Sequence, residues 1–166
     1  ADLKGEGAHV EMMYSPFEAI EKAKADPGTT YVLAAVGFET TTPAYALMID
    51  QAEREGIKNI KLVTALKTII PALEWICENE DGIDAFICPG HVSTIIGSRP
   101  YEALAEKYHK PFVVAGFEAE QILAVIYDIV RQLESGHEDV NNLYRNAERD
   151  EGNIKAQEIL ARCFEA

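Results

Sequence analysis

The tripeptide Gly-Phe-Glu occurs twice in this chain, each time directly after a run of apolar residues. The residues concerned are Gly37, Phe38 and Glu39, followed by Thr40 and Thr41, and then Gly116, Phe117 and Glu118. A glutamate that follows a strand can meet a metal ion, a cationic partner or a cluster of backbone N–H groups. It can also be an ordinary glutamate near a helix N-terminus, where the helix dipole stabilises it by under about 1 kcal/mol. The repeated context favours a functional site as much as it favours the dipole.

Three consecutive threonines precede Pro43 in the first of these loops. Their hydroxyls, together with the free N–H groups of a helix start, offer a place for an anion. The structural alternative is that Thr42 caps the helix while Thr40 and Thr41 are solvated, because threonine is a common helix cap.

A third candidate loop follows an apolar run that ends at Cys88. Its residues are Pro89, Gly90, His91, Val92 and Ser93. A thiol near a helix N-terminus and an imidazole three residues away suit metal ligation or redox chemistry. Cys88 is equally consistent with a buried strand residue, whereas packing explains a loop histidine less easily. The pair alone supplies two of the three or four ligands that a metal site needs.

The elements that must position these loops alternate between apolar runs and helical patterns. The predicted strands are His9–Tyr14, Tyr31–Val36, Ile60–Leu66, Ala85–Cys88 and Phe112–Ala115. Four of them are nearly continuous apolar runs, which is typical of parallel strands covered on both faces. The last helix of the alternation places Ile122, Ile126 and Ile129 on one face. The order predicts an α/β fold, a mainly parallel sheet of four to five strands with helices on both faces in a Rossmann-like three-layer arrangement.

Ligands of an open parallel sheet bind at the carboxyl ends of its strands. All three candidate loops follow predicted strands. We therefore expect Glu39, His91 and Glu118 to lie at one edge of one sheet.

The character of the sequence changes after Gly136, where it becomes polar, highly charged and helical in pattern. This change predicts an α/β domain at residues 1–136 and a C-terminal extension of peripheral helices at residues 137–166. Both ends of the chain have the pattern expected of a piece cut from a longer protein.

The composition excludes several classes of function. With 15 basic and 28 acidic side chains, the net charge of −13 disfavours nucleic acid and anionic membrane as partners. No apolar run is long enough to span a membrane. Cys77, Cys88 and Cys163 are widely spaced, which indicates a reducing cytoplasm rather than a disulfide framework. The glycine-rich motifs of dinucleotide and nucleoside triphosphate sites are absent from the sequence.

Four stretches together carry a family resemblance. They are "MMYSPFEAI", "GFETTTPAYAL", "GIDAFICPGHVSTIIG" and "PFVVAGFEAEQIL". In this order and spacing they closely resemble the HypD family of hydrogenase maturation proteins, and the similarity runs through the closing "NNLYRNAERDEGN" as well.

The resemblance implies a scaffold that helps build the iron centre of nickel–iron hydrogenases. It implies partners of the HypC and HypE types, an iron atom carrying cyanide and carbon monoxide, and a 4Fe–4S cluster elsewhere in the family's chain. The family's Cys-Gly-Thr-His and Gly-Pro-Gly-Cys-Pro-x-Cys motifs and its cysteine-rich C-terminal region are absent here. We therefore expect the second α/β domain with its trailing helices, without a cofactor or metal ligand of its own, and a non-catalytic scaffold or accessory role.

The residues that match the family's cleft motifs are those of the three candidate loops named above. We expect Glu39, Thr41, His91 and Glu118 to face the absent N- and C-terminal parts of the family's chain and to position the iron complex or a partner. Two alternatives are an enzyme that binds a small molecule or anion at the same strand ends, and a redox protein that acts through Cys88.

Overall fold

The computed structural model describes residues 5–7, 9–144 and 149–164 of the chain. The helices are α1 (Glu18–Ala25), α2 (Thr42–Arg54), α3 (Ile69–Asn79), α4 (Gly90–Ile96), α5 (Arg99–Tyr108), α6 (Ala119–Ser135) and α7 (Ile154–Cys163). The strands are β1 (Tyr31–Gly37), β2 (Ile60–Leu66), β3 (Phe86–Pro89), β4 (Phe112–Ala115) and β5 (Val140–Asn142). Strands and helices alternate as predicted, and every strand pair is parallel. The α/β class is confirmed.

The strands are divided between two sheets instead of forming one. β1 pairs with β2, and β4 pairs with β3 on one side and β5 on the other. The predicted strand His9–Tyr14 is wrong, because residues 9–14 lie outside the strands. At the end of this segment, the Glu18 carboxylate accepts hydrogen bonds from the backbone N–H groups of Tyr14 and Ser15, at 2.9 and 3.0 Å. A side chain at the start of α1 thus satisfies donors that a neighbouring strand would otherwise use.

Helices cover both faces of the three-stranded sheet. All four residues of β4 are buried, with Val113 and Ala115 packed against Val125 of α6. On the opposite face, Phe112 and Val114 pack with Tyr101 and other residues of α5. This is the two-sided cover that the continuous apolar run predicted.

In the two-stranded sheet the described helices cover one face. Leu33 is 5% exposed and packs with residues of α1 and α2, whereas its neighbour Val32 is 63% exposed. Val36 and Val63 are also exposed, and in the register of the pair they lie on the same face as Val32. An apolar strand face is therefore left open to solvent here.

Helix α6 buries a polar face. Val125, Asp128 and Gln132 are its buried residues, whereas Ile126, which the sequence places on one face with Ile122 and Ile129, is exposed. The Asp128 carboxylate accepts hydrogen bonds from the side chains of Asn141 at 2.7 Å and Gln132 at 2.9 Å. The side-chain oxygen of Gln132 in turn accepts a hydrogen bond from the Asp139 backbone N–H at 2.8 Å. This network fixes the start of β5 under α6.

Strand β5 corrects the prediction of peripheral helices throughout the C-terminal extension. Its sequence, Val-Asn-Asn, has no strand periodicity, but its backbone pairs with β4 and its Asn141 side chain joins the network of Asp128. Residues 145–148 of the predicted extension lie outside the described residues. The domain boundary at residue 136 stays a prediction.

Helix α7 connects the two sheets. Asn153 caps it by accepting a hydrogen bond from the Ala156 N–H at 3.1 Å. The Gln157 side chain donates to the Ile95 carbonyl of α4 at 2.8 Å. At the other end, Phe164 packs against the core of the two-stranded sheet. The two halves of the chain thus share a helix that follows both of them in sequence.

The pKa of Asp128 depends on opposing effects. Burial of the carboxylate by itself raises the pKa, but hydrogen bonds from Asn141 and Gln132 and the charge of Arg131 outweigh burial and hold the pKa below its usual range. A lowered folded-state pKa contributes stability above the unfolded-state value of about 4, and that stability is lost as pH falls through the folded-state value.

The one-sided burial of β1 predicts a sharp contrast between neighbouring residues. Leu33→Ala should lower the free energy of unfolding by about 2–5 kcal/mol, because it leaves a cavity in the core. Val32→Thr should change it by no more than about 0.5 kcal/mol, since the position is exposed and the new side chain is also β-branched. Urea denaturation of both variants measures the difference. Equal losses of unfolding free energy in the two variants would contradict the conclusion that one face of β1 is open to solvent.

The Asp128 network predicts a pH-dependent variant. Asp128→Asn should lower the free energy of unfolding by about 1–3 kcal/mol at pH 7, because its amide cannot accept from all the donors around it. The difference from the wild type should hold down to about pH 5 and shrink below about pH 4, where Asp128 becomes protonated first in the unfolded state of the wild type and, at lower pH, in the folded state. Urea titrations across this range measure it, and a difference that is constant with pH would refute the lowered pKa.

Candidate functional site

The first Gly-Phe-Glu copy forms a tight turn between β1 and α2. Gly37 ends the strand, and the Phe38 carbonyl accepts hydrogen bonds from the backbone N–H groups of Thr41 and Thr42, at 2.9 and 3.1 Å. Thr41 rather than Thr42 is the N-cap residue, and its side chain makes no capping bond. The exposed Thr40 lies at the tip of the turn. The first amides of the helix therefore already have partners.

Glu39 is buried in this turn at 5% exposure. Its Oε1 accepts a hydrogen bond from the Ile69 backbone N–H at 2.7 Å, which ties the β1 turn to the first residue of α3. Its Oε2 is buried without a hydrogen-bond partner among the described residues. A buried carboxylate oxygen without a donor is costly, so this atom is a place where a donor or a cation would be stabilised.

The other two candidate loops lie side by side. Pro89 at the end of β3 pairs with Ala115 at the end of β4, so the loops that follow start from adjacent positions. The rings of His91 and Phe117 are 5.6 Å apart and meet edge to face. Both residues are exposed, Phe117 at 71%. Because Glu39 belongs to the other sheet, the expectation that both Gly-Phe-Glu copies share one sheet edge is wrong.

Tyr144 completes this aromatic group, and the sequence alone did not indicate it. Its ring centroid lies 5.8 Å from that of His91, at an interplanar angle of 78°. Tyr144 follows β5 by two residues, so its position depends on a strand whose sequence lacks a strand pattern. We call His91, Phe117 and Tyr144 the aromatic cluster.

The His91 imidazole is held by ring contacts. Among the described residues its nitrogens have no hydrogen-bond partner, and the Thr94 hydroxyl bonds to the His91 backbone carbonyl rather than to the ring. An imidazole with both nitrogens available can donate to, accept from or ligate a bound group. The cluster thus presents one polar ring between two aromatic rings at the carboxyl edge of the three-stranded sheet.

The remaining predicted site residues divide into buried and exposed ones. Ser93 is fully buried, where its hydroxyl donates to the Pro89 carbonyl at 3.0 Å and lies 3.1 Å from the Tyr101 hydroxyl. Cys88 is 1% exposed within the core, which favours its reading as a buried strand residue over a reactive thiol. Glu118 is exposed at the N-cap of α6.

Gln121 is a further residue that sequence reasoning missed. Its side-chain oxygen accepts a hydrogen bond from the Gly116 backbone N–H at 2.7 Å and so fixes the second Gly-Phe-Glu turn. A polar residue in the first turn of a predicted helix is the signal that would have pointed to it.

The described residues contain neither a cluster of metal-binding side chains nor a membrane-spanning helix. No group of three or more His, Cys, Asp or Glu residues is placed to hold a metal ion there. None of the helices in the described ranges has the length and apolar character needed to cross a membrane.

Comparison with known proteins decides the family. The sequence model of the HypD family, described as "Hydrogenase formation hypA family", matches residues 1–166. The chain belongs to the HypD family.

Individual relatives agree with this membership. The chain is 41% identical over 169 residues to hydrogenase maturation factor HypD1 of Bradyrhizobium diazoefficiens, covering 98% of this chain and 44% of the relative. It is 40% identical over 162 residues to hydrogenase maturation factor HypD of Escherichia coli, covering 97% and 43%. It is 39% identical over 165 residues to a protein of Methanocaldococcus jannaschii named for hydrogenase expression and formation, covering 99% and 46%. This HypD-family chain thus spans less than half the length of these relatives.

The Oε2 of Glu39, which has no partner among the described residues, predicts unequal effects of two substitutions at this position in the turn between β1 and α2. Glu39→Gln should leave the free energy of unfolding unchanged or raised, because it keeps an oxygen for the Ile69 N–H and removes a buried charge. Glu39→Ala should lower it by about 1–3 kcal/mol, since the Ile69 N–H then loses its partner. Chemical denaturation at pH 7 compares the two. A glutamine variant as unstable as the alanine variant would show that the carboxylate charge itself is required for folding.

Proposed function

We propose that this chain acts in the maturation of nickel–iron hydrogenases, as part of a scaffold that holds the Fe(CN)2CO precursor and binds partners of the HypC and HypE types. The family membership supports the maturation role, and the relatives are named as hydrogenase maturation factors. The observation that carries the site is the His91 imidazole, which meets two aromatic rings and whose nitrogens have no hydrogen-bond partner among the described residues.

The chemistry of the aromatic cluster suits such a cargo. The nitrogen of a cyanide that is bound to iron through its carbon is a good hydrogen-bond acceptor, and the His91 N–H is a suitable donor for it. Carbon monoxide is a weak acceptor, so exposed apolar rings such as Phe117 are compatible neighbours for it. In this proposal the chain orients the ligands of the iron by hydrogen bonding and does not supply the iron's own ligands.

The four residues predicted to face the absent parts of the family's chain keep that role in the proposal, on two surfaces. His91 and Glu118 lie at the end of the three-stranded sheet, and Glu39 and Thr41 lie in the turn after β1. The unpaired Oε2 of Glu39 is the strongest local reason for a donor from another polypeptide to approach this turn.

The 4Fe–4S cluster that the family resemblance implies does not fit the residues of this chain. Cys77 lies on α3, Cys88 on β3 and Cys163 at the end of α7, and no disulfide joins them. The described residues offer no set of thiols that could surround one cluster. We therefore assign no residue of this chain to it. Three reduced cysteines are consistent with the cytoplasmic location that we propose.

The exposed apolar residues supply surfaces for the proposed protein contacts. Val32, Val36 and Val63 form the open strand face, and Leu123 and Tyr127 lie exposed on α6. Apolar patches of this kind are typical of protein–protein contact sites. An anion-binding enzyme is a weaker alternative, because the Thr41 and Thr42 amides that would cradle an anion already bond to Phe38.

The proposal predicts that maturation depends on His91 and on the charge of Glu39. His91→Ala and Glu39→Gln, introduced into the natural full-length chain, should strongly lower hydrogenase activity in a strain that lacks its own HypD, while the melting temperature stays near that of the wild type. The measurement is hydrogen-dependent dye reduction in cell extracts. His137→Ala is the matched control, because His137 is also exposed but lies in the loop before β5. Wild-type activity in both site variants would sink the proposed role.

A further inference from the structure

We propose that Tyr144 is a positioning residue for His91, with its ring seated against Gly90 and Gly116. The purpose assigned to His91 rests on the proposed function, whereas the positioning itself rests on geometry alone.

The two glycines provide a seat for the ring. A Cβ atom on Gly90 would lie 2.7 Å from two carbons of the Tyr144 ring, closer than real contacts allow. A Cβ atom on Gly116 would lie 3.0 Å from a third ring carbon, and nearer still to side-chain oxygens of Glu118 at 2.5 Å and Gln121 at 2.7 Å. Neither glycine has a positive φ, so the backbone conformation does not require glycine at these positions. At Gly90 the close approach of the Tyr144 ring and of the Ala115 carbonyl oxygen, 2.8 Å from the same Cβ position, leaves no room for a side chain, and at Gly116 the ring adds to the contacts of Glu118 and Gln121.

The backbone on the N-terminal side of Tyr144 is fixed independently of the ring. The Leu143 N–H donates to the Val114 carbonyl at 2.8 Å, which continues the pairing of β5 with β4. The Tyr144 N–H donates to the Asn142 side chain at 2.8 Å. The Tyr144 ring therefore extends from an anchored backbone and covers the ends of β3 and β4, next to the start of the segment that carries His91.

The ring contacts of His91 use neither imidazole nitrogen as a hydrogen-bonding group, and among residues 5–7, 9–144 and 149–164 no other group bonds to them. Tyr144 and Phe117 both meet the His91 ring edge to face, a preferred arrangement of aromatic rings. An exposed imidazole without such contacts samples several rotamers, and its nitrogens then point in different directions. The aromatic contacts restrict the ring without occupying a nitrogen, as a residue that must bind a cargo requires.

Nuclear magnetic resonance of the chain tests the positioning. With histidine and tyrosine selectively labelled, the wild type should show a nuclear Overhauser effect between the ring protons of His91 and Tyr144. Its absence would overturn the proposal before any variant is made. His91→Ala assigns the His91 signal among the four histidines.

Variants of Tyr144 distinguish loss of the ring contact with His91 from loss of the fold. Tyr144→Phe should leave the His91 ring-proton shifts unchanged, because it keeps the ring. Tyr144→Leu should move them toward the values of the exposed His137, while the His137 signals stay in place. Unmoved His91 signals in Tyr144→Leu would overturn the proposal. If that variant unfolds, Tyr144→Met decides in its place, since its longer apolar side chain fills more of the volume of the ring but still removes the aromatic contact, and unmoved His91 signals in it would overturn the proposal.

The maturation assay distinguishes this inference from the proposed function. Tyr144→Phe in the natural full-length chain should retain hydrogenase activity, and Tyr144→Leu should lose it toward the level of His91→Ala. If the His91 signals move in Tyr144→Leu but Tyr144→Leu and His91→Ala both mature hydrogenase normally, the proposed role of His91 fails and the positioning stands. If His91→Ala alone abolishes activity, Tyr144 does not act through His91 in maturation.

Discussion

The pairing of β4 on both of its edges is the constraint on which the rest of the site depends. Parallel strands need crossover connections, so the chain returns to the same end of the sheet before each of β3, β4 and β5. Their carboxyl ends consequently lie next to one another. Residues from three distant parts of the sequence, His91, Phe117 and Tyr144, meet at that edge for this reason.

A buried polar network makes the third strand possible. A strand of Val-Asn-Asn gains little from apolar burial, so its place beside β4 depends on backbone pairing and on the bonds of Asn141 to Asp128. The same network explains the unusual orientation of α6. Because α6 directs Asp128 and Gln132 inward, several of its apolar residues face outward. Helix α6 thus buries polar side chains on one face and exposes apolar side chains on the other, which is the reverse of the usual arrangement.

The division into two sheets separates the two Gly-Phe-Glu copies and gives their glutamates different environments. Glu39 is buried and holds the start of α3, whereas Glu118 is exposed at the start of α6. The two identical tripeptides therefore have different structural roles. The first fixes a turn to a neighbouring helix, and the second leads the chain past an aromatic ring that stands in solvent.

The sequence by itself determined the α/β class and the alternation of elements, because apolar periodicity and turn residues are local signals. It also determined the family, since the motifs of that family are written in consecutive residues. Only the tertiary structure decided which strands share a sheet, because an apolar run does not specify its partner. Only the tertiary structure could place Tyr144 on Gly90 and Gly116, since that contact depends on β5, whose pairing comes from the backbone and from Asp128 rather than from its own pattern.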